Sequence, residues 1–350
     1  MIITKTPFRM SFFGGGTDIP EYFNKGRGAV ISTSFDKYVY VTVRHLPRFF
    51  EYTTEIEYSK QERVNNIDDI EHPMIRNAMK FLDMHELHIS YDADLPAKTG
   101  LGTSSTFAVG LLNAFHSLKG KYASKLQLAK EAIYVERVLC EEAGGWQDQI
   151  AASFGGFNRI DFEDNGYRVT PIIIHPERRQ QLDDNLLLFF TGFTRFSAEI
   201  QETTKKSIND EAKKQYLDKM LALVDEAQEV LENKERSLDE FGYLLDKTWK
   251  LKKEISDEIT NDSIDALYDK AIAAGALGGK LLGAGGGGFL LFYVPKNKQR
   301  SVRRALKLME VPFAFERYGT RVIYFAPEVY DMEGSLEDLD ELEESESWRL

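Results

Sequence analysis

The chain contains a single cysteine, Cys140, among its 350 residues. One thiol can form neither an intrachain disulfide nor a cysteine-rich metal cluster, so both kinds of cross-link are excluded. No apolar run approaches the roughly 20 residues that a membrane-spanning helix needs, and the N-terminus lacks a basic segment followed by an apolar stretch. These absences predict a soluble, cytoplasmic protein without a membrane partner.

An excess of positive charge is also lacking. Lys and Arg number 44 and Asp and Glu number 56, which gives a net charge of −12. Nucleic acids favour basic surfaces, so a nucleic-acid partner is not expected. Residues 331–350 hold nine acidic residues and one Arg, so this end carries −8 and the rest of the chain only −4. The body is therefore close to neutral and does not strongly repel an anionic substrate.

The length predicts two domains, at roughly 150 residues per domain, and 43% apolar residues supply a sizeable core. Strand-like and helical segments mix without a regular β-α-β alternation, which favours an α+β fold over a doubly wound sheet. The predicted limits are 1–182 for the first domain, 183–326 for the second and 327–350 for a solvated acidic tail. Long helices are predicted over 124–142, 198–233 and 237–259.

The sharpest motif is a glycine-bearing segment that runs from a strand into a helix, DLPAKTGLGTSSTF, from Asp94 to Phe107. Gly100 and Gly102 allow backbone N–H groups to approach a ligand closely. The helix start adds unpaired N–H donors and the positive end of its dipole, which together bind anions. An ordinary helix cap is the alternative for a lone Gly-Leu-Gly, because Ser and Thr caps are common.

Two further segments are rich in glycine. The first, PFRMSFFGGGTDIP at 7–20, places Arg9 and Asp18 on either side of three glycines, although a turn capped by Asp18 explains it nearly as well. The second, GGKLLGAGGGGF at 278–289, holds four adjacent glycines between apolar segments. Serine is absent there, so we expect a loop pressed against another part of the chain rather than a flexible linker.

One carboxylate lies on the apolar face of a predicted helix. At 100° per residue, Glu136 lies in the middle of the apolar face of the helix over 124–142. A charged group there must be paired, neutralised or bound to a cation. A salt bridge to Lys125 is one alternative, and a hard cation such as Mg²⁺ is the other. Asp148, twelve residues later, precedes a short helix, where an acidic first-turn residue is also ordinary.

The three glycine segments, in this order, resemble the motifs of the GHMP kinase superfamily over nearly the whole chain to about residue 326. PAKTGLGTSS looks like its second motif, KLLGAGGGG like its third, and RMSFFGGGTD aligns with the first motif of galactokinase. The resemblance implies a two-domain α+β fold. An N-terminal mixed α/β domain would carry the phosphate loop, and the C-terminal α+β domain would be ferredoxin-like.

The resemblance also implies roles for residues, with ATP and Mg²⁺ as cofactors. Asp148 would be the catalytic base, with Arg9 beside it. Mg²⁺ would be held by Ser104 and Glu136. The ATP phosphates would be held by Pro96, Lys98, Gly100, Leu101, Gly102, Thr103, Ser104 and Ser105. The substrate would be bound by Asp18, Gly15, Gly16, Arg195, Lys280, Gly285 and Gly286.

One departure from galactokinase is informative. Its Glu-His pair is replaced here by Gly15 and Gly16, which leaves a roomier pocket than galactose needs. The motifs most resemble those of the D-glycero-D-manno-heptose 7-phosphate kinases and, next, the kinase part of fucokinases. A phosphorylated sugar needs cationic contacts, for which the candidates are Lys25, Arg27, Arg195 and Lys280.

The predicted reaction is the ATP-dependent phosphorylation of the anomeric hydroxyl of the heptose 7-phosphate to the 1,7-bisphosphate. The alternatives are a fucokinase-like or galactokinase-like sugar 1-kinase, a non-catalytic protein that senses sugar and ATP, and a decarboxylase of the mevalonate branch. A homodimer face on the long charged helices after residue 198 is the alternative to their exposure to solvent.

Overall fold

A computed structural model describes residues 1–97, 99–164, 166–192 and 211–327. The first sheet has nine strands and is built on two long ones, β1 (Ile2–Phe13) and β2 (Gly28–His45), which pair antiparallel. Both are rich in β-branched and aromatic residues, which suit a pleated, buried surface. β2 runs through Asp36 and Lys37 as one continuous strand, and its register with β1 shifts between Pro7 and Phe8.

The other strands of this sheet extend it on both sides of β1 and β2. The order is β13-β1-β2-β5-β3-β4, with β6 and β12 also pairing with β2 and β7 pairing with β6. Their bounds are β3 Thr54–Glu57, β4 Gln61–Val64, β5 Leu87–Ala93, β6 Phe157–Glu163, β7 Gly166–Pro171, β12 Phe315–Glu316 and β13 Arg321–Phe325. The helices of this half are α1 Pro20–Phe23, α2 Pro73–Phe81, α3 Thr103–Leu118, α4 Lys125–Tyr134, α5 Gln147–Phe154 and α6 Pro176–Asn185.

The second sheet has four antiparallel strands in the order β11-β8-β10-β9. Numbered within this sheet, the order is 4-1-3-2, which is the arrangement of a ferredoxin-like domain and confirms the predicted fold class. Its strands are β8 Leu186–Phe190, β9 Gly278–Leu281, β10 Phe289–Tyr293 and β11 Met309–Glu310. Its helices are α7 Glu211–Glu232, α8 Asp239–Lys253, α9 Asp262–Ala273 and α10 Gln299–Leu306.

The chain returns to the first sheet after β11. β12 pairs with β2, and β13 pairs with β1 at its outer edge. The segment 321–325 falls within the range predicted for the second domain, yet it extends the first sheet. The domain limits at 182/183 and 326/327 stay predictions.

The helix predicted over 124–142 is shorter and changes type. Ser124 accepts a hydrogen bond from the backbone of Gln127 and starts α4, as a capping residue does. The α-helical part ends at Tyr134, and one π-helical turn follows over Val135–Leu139. Single π-turns inside helices occur frequently at functional sites. This turn carries Glu136.

The part of helix 198–233 before residue 211 lies outside the described residues. Within the described ranges, no helix combines the length and the apolar character needed to cross a bilayer.

Candidate active site

The loop before α3 is shaped to hold an anion. Gly102 caps the helix with φ = +75°, a left-handed conformation that glycine adopts without strain. No described side chain caps the helix. The backbone N–H groups of Thr103, Ser104 and Ser105 are therefore the donors that a helix start leaves without an intrahelical partner. The hydroxyl of Thr103 is buried and has no hydrogen-bond partner among the described residues. Donors without partners at the positive end of a helix suit phosphate oxygens.

The third glycine segment packs directly on this loop. A Cβ added to Gly283 would lie 2.2 Å from the Cα of Gly100, and one added to Gly100 would lie 2.3 Å from the carbonyl oxygen of Leu282. Real Cβ atoms do not come this close, so the two backbones touch because neither residue has a side chain. The two motifs, about 180 positions apart, therefore form one surface.

Asp148 lies against the same loop. Arg9 holds its carboxylate with two hydrogen bonds, Nε to Oδ1 at 2.7 Å and Nη2 to Oδ2 at 2.8 Å. The third donation of Arg9 goes from Nη1 to the carbonyl of Gly100, at 2.8 Å. A Cβ on Gly102 would meet Asp148 Oδ2 at 3.0 Å. The bidentate pair therefore fixes a carboxylate beside the place where phosphates would bind.

Glu136 is 1% exposed, in agreement with its predicted place on the apolar face. Gln149 donates to its Oε2, while Oε1 has no hydrogen-bond partner among the described residues. Burial raises the pKa of Glu136, which the charge of Arg137 and the hydroxyls of Ser105 and Ser104 oppose. The alternative partner Lys125 instead donates to the carbonyl of Phe154, so the suggested salt bridge does not form.

Asp18, which the sequence predicts to bind the substrate, is buried and hydrogen-bonded to the backbone. Its Oδ1 accepts from Gly16 N at 2.9 Å, and its Oδ2 accepts from Gln147 N at 3.3 Å. Burial and the negative charge of Asp148 raise the pKa of Asp18. A carboxyl group held in this way can exchange hydrogen bonds with sugar hydroxyls.

A cavity joins these groups. It is lined by Arg9, Asp18 and Asp148, by Gly15 and Gly16, and by residues from α8 and the third glycine segment. Two polar atoms on its wall, Ser11 Oγ and Gln147 Oε1, are buried without a partner among the described residues. Neither residue was expected from the sequence, because Ser and Gln there have no pattern that separates them from ordinary polar residues.

Two buried lysines also line the cavity. Lys280 was predicted, and its Nζ donates to the carbonyl of Phe12 at 2.9 Å. Lys252 was missed, and its Nζ donates to the carbonyl of Gly283. A signal for Lys252 was available, because it continues the buried face of α8 formed by Phe241, Leu244, Leu245, Thr248 and Trp249.

Several predicted contacts lie elsewhere. Gly286 N donates to the carbonyl of Ile259, at 3.0 Å, and Gly285 packs against the same residue; the cavity is instead bordered by Gly283 and Ala284 of that segment. Arg27 is paired with Asp225 at 2.8 Å, away from the cavity. Lys25 is exposed and does not line the cavity.

The remaining predicted residues belong to the loop or cannot be placed. Pro96 is exposed, and its carbonyl accepts from Thr99 Oγ1 at 2.8 Å, while Leu101 is buried beneath the loop. Lys98 and Arg195 lie outside the described residues. The ligand roles of all these residues remain predictions.

Comparison with known families gives two matches. Residues 70–156 match the GHMP kinases N terminal domain, and residues 223–310 match the GHMP kinases C terminal. The first range contains the phosphate loop, Glu136 and Asp148, and the second contains Lys252 and the third glycine segment.

Among curated proteins, the chain is 33% identical over 337 residues to the D-glycero-alpha-D-manno-heptose 7-phosphate kinase of Campylobacter jejuni. That alignment covers 91% of this chain and 98% of the relative. The bifunctional fucokinase/GDP-fucose pyrophosphorylase of Arabidopsis thaliana is 26% identical over 86% of this chain, which corresponds to 30% of that longer protein.

Solved structures share the fold of this chain. A crystal structure of a D-glycero-D-manno-heptose 1-phosphate kinase from Bacteroides thetaiotaomicron has a TM-score of 0.75 at 24% identity, covering 93% of this chain and 100% of that one. A putative sugar kinase from Campylobacter jejuni has a TM-score of 0.66 at 27% identity, covering 92% and 97%. The likeness thus extends along almost the whole chain.

Proposed function

The chain belongs to the GHMP kinase family and is a sugar kinase, and from this premise we propose that it phosphorylates the anomeric hydroxyl of D-glycero-D-manno-heptose 7-phosphate. The phosphoryl donor is ATP, the usual donor of the family, and the product is the 1,7-bisphosphate, an intermediate toward GDP-heptose for surface glycans. The choice of acceptor is supported by the 33% identity to the Campylobacter jejuni relative of that name. Gly15 and Gly16, which leave room in the cavity for a larger sugar, agree with it.

The observation that carries the mechanism is the position of Asp148 between the phosphate loop and the acceptor cavity. Asp148 takes the proton of the anomeric hydroxyl while that oxygen attacks the γ-phosphorus of ATP, and the bond from this phosphorus to the β–γ bridging oxygen breaks to release ADP. Arg9 holds the carboxylate in place through two hydrogen bonds and stabilises its negative charge. Asp18 binds acceptor hydroxyls and so orients the attacking oxygen.

The phosphates are held by backbone N–H groups at the start of α3, which lower the energy of the charge that develops during transfer. A divalent cation fits beside them, because Glu136 presents a buried carboxylate oxygen that has no partner in the described part of the chain, and two serine hydroxyls lie nearby. Mg²⁺ would be held by Glu136 and Ser104. A bound Mg²⁺ supplies further compensation for the charge of the transferred group. Family membership and the intact Asp148–Arg9 pair favour an enzyme over a non-catalytic sensor.

A coupled assay of ADP release tests the choice of acceptor. We expect a kcat/KM for heptose 7-phosphate at least about tenfold above those for L-fucose and D-galactose, a difference of about 1.4 kcal/mol in transition-state binding. Phosphorus NMR of the product should show a second phosphate on the anomeric carbon. A preference for fucose would instead assign a fucokinase-like activity, and ADP release with none of the three sugars would refute the proposed acceptor.

A further inference from the structure

Two lysines that line the cavity are buried, and the described residues hold no counter-ion for either of them. Lys252 is 8% exposed and Lys280 is 2% exposed. Each donates to one backbone carbonyl, and neither forms a salt bridge with any described residue. A buried ammonium group without a paired anion is costly to a folded protein. Two such groups in one cavity call for a ligand that compensates them.

The acidic groups of the cavity do not provide this compensation. Asp148 is engaged by Arg9 through both of its oxygens. Asp18 is engaged by the backbone N–H groups of Gly16 and Gln147, and no salt bridge joins it to either lysine among the described residues. With Arg137 included, four basic and two acidic side chains line the cavity, so their formal charges sum to +2 when all six are ionised.

Burial and neighbouring positive charges lower the pKa of both lysines. Burial and the charge of Arg9 lower the pKa of Lys252 to about 8, while Asp18 acts in the opposite direction. Burial, Lys252 and Arg9 lower the pKa of Lys280 well below its ordinary value. A phosphate monoester carries between one and two negative charges at neutral pH, which matches the excess.

We propose that Lys252 and Lys280 bind the phosphate group that the acceptor already carries, and that they thereby select a phosphorylated sugar over a neutral one. This inference rests on the proposed function. The first turn of α3 offers separate N–H donors to the phosphates of ATP. The two lysines reach the cavity from different elements, the end of α8 and strand β9, so they can contact one phosphate from two sides.

The test compares two acceptors that differ only in that phosphate, heptose 7-phosphate and the free heptose. For Lys252→Met and Lys280→Met we expect kcat/KM for the phosphorylated acceptor to fall by about tenfold or more, the typical effect of losing a charge-assisted hydrogen bond. The value for the free heptose should stay within about threefold, since a neutral sugar gains nothing from either charge. Lys252→Arg, which keeps the charge, should retain more of the preference than Lys252→Met.

Lys250→Met is the matched control. Lys250 lies two positions earlier on the same helix, is exposed, and pairs with Asp246 at 2.6 Å. The Lys250→Met variant should have the same kcat/KM as the wild type for both acceptors. Melting temperatures of all variants show whether a loss of activity comes from unfolding. An equal loss for the two acceptors, or a loss that appears only in the KM for ATP, would overturn the inference, because the lysines would then act on the glycine loop or on the nucleotide.

A binding measurement separates this inference from the proposed function. Calorimetry with inorganic phosphate is carried out on protein saturated with a non-hydrolysable ATP analogue, so that the phosphate loop is already filled. If inorganic phosphate binds to the wild type and to neither Met variant, the lysine site is supported. This holds even when heptose 7-phosphate is not turned over. Equal phosphate binding by wild type and variants, or none by the wild type, refutes the site.

Discussion

The proposed nucleotide end and the proposed acceptor end of the cleft bury ionisable groups of opposite sign without a counter-ion among the described residues. At the nucleotide end, Glu136 is buried with one carboxylate oxygen unpaired among the described residues. At the proposed acceptor end, Lys252 and Lys280 are buried and neither forms a salt bridge with a described acidic residue. Each end would be completed by a ligand of the opposite charge, a divalent cation at one and a phosphate at the other. Between them, the Asp148–Arg9 pair is compensated within the protein.

We expect the largest loss of activity from a substitution in the Asp148–Arg9 pair. Asp148→Asn removes the base but preserves the shape of the side chain and one hydrogen-bond acceptor for Arg9. Turnover should fall by about 10²- to 10⁴-fold, the usual contribution of general-base catalysis, while ATP affinity changes little. Steady-state kinetics and nucleotide titration measure the two quantities.

Asp225→Asn is the control for that variant, since Asp225 is an aspartate paired with Arg27 and Arg159 away from the cavity. It should behave as the wild type. If Asp148→Asn kept more than about a tenth of the wild-type rate, the general-base role would be wrong.

At the nucleotide end, Glu136→Gln removes the proposed metal ligand without changing its size. The Mg²⁺ concentration that gives half-maximal activity should rise by about tenfold or more, because even residues that only support metal ligands cost 10- to 100-fold in affinity. The measurement is a Mg²⁺ titration of the rate at saturating ATP. Glu131→Gln, one turn earlier on α4 and hydrogen-bonded to His116 at 2.6 Å, should leave the titration unchanged. An unchanged titration for Glu136→Gln would contradict the ligand role.

Comparison of Glu136 with Lys252 shows what the sequence can reveal. The helical periodicity of 100° per residue indicated Glu136 as a functional residue, because a carboxylate has a short side chain and cannot reach solvent from an apolar face. Its burial is confirmed, although the α-helix ends at Tyr134, just before it. Lys252 occupies an equivalent place on α8, but a lysine on such a face can extend its charged end into water. Only the packing of the third glycine segment, which accepts its hydrogen bond, shows that it does not.

The contact between Gly100 and Gly283 marks a second limit of the sequence. Nothing in the spacing of two segments about 180 positions apart indicates that their backbones touch. The sequence predicted that the third glycine segment presses against another part of the chain, but its periodicity could not indicate which part. The pairing of β13 with β1 was missed for the same reason, because a strand at the end of the chain can join either sheet with the same side-chain pattern.

The smallest predicted effect is in the stability of the ligand-free protein, where the two ends should respond oppositely to pH. The pKa of Glu136 is raised by folding, so the unfolded chain releases its proton first and stability falls as pH rises above the ordinary value of 4.5. Glu136→Gln should therefore gain stability over wild type as pH rises from 4.5.

The pKa of Lys252 is lowered from 10.5 to about 8, so the unfolded chain holds its proton longer and wild-type stability rises between those two values. Any gain from Lys252→Met should be largest below pH 8 and shrink toward pH 10.5. Each pKa unit corresponds to about 1.4 kcal/mol. Urea unfolding across pH measures both slopes, and slopes of the same sign would mean that the two ends of the cleft do not carry opposite uncompensated charges.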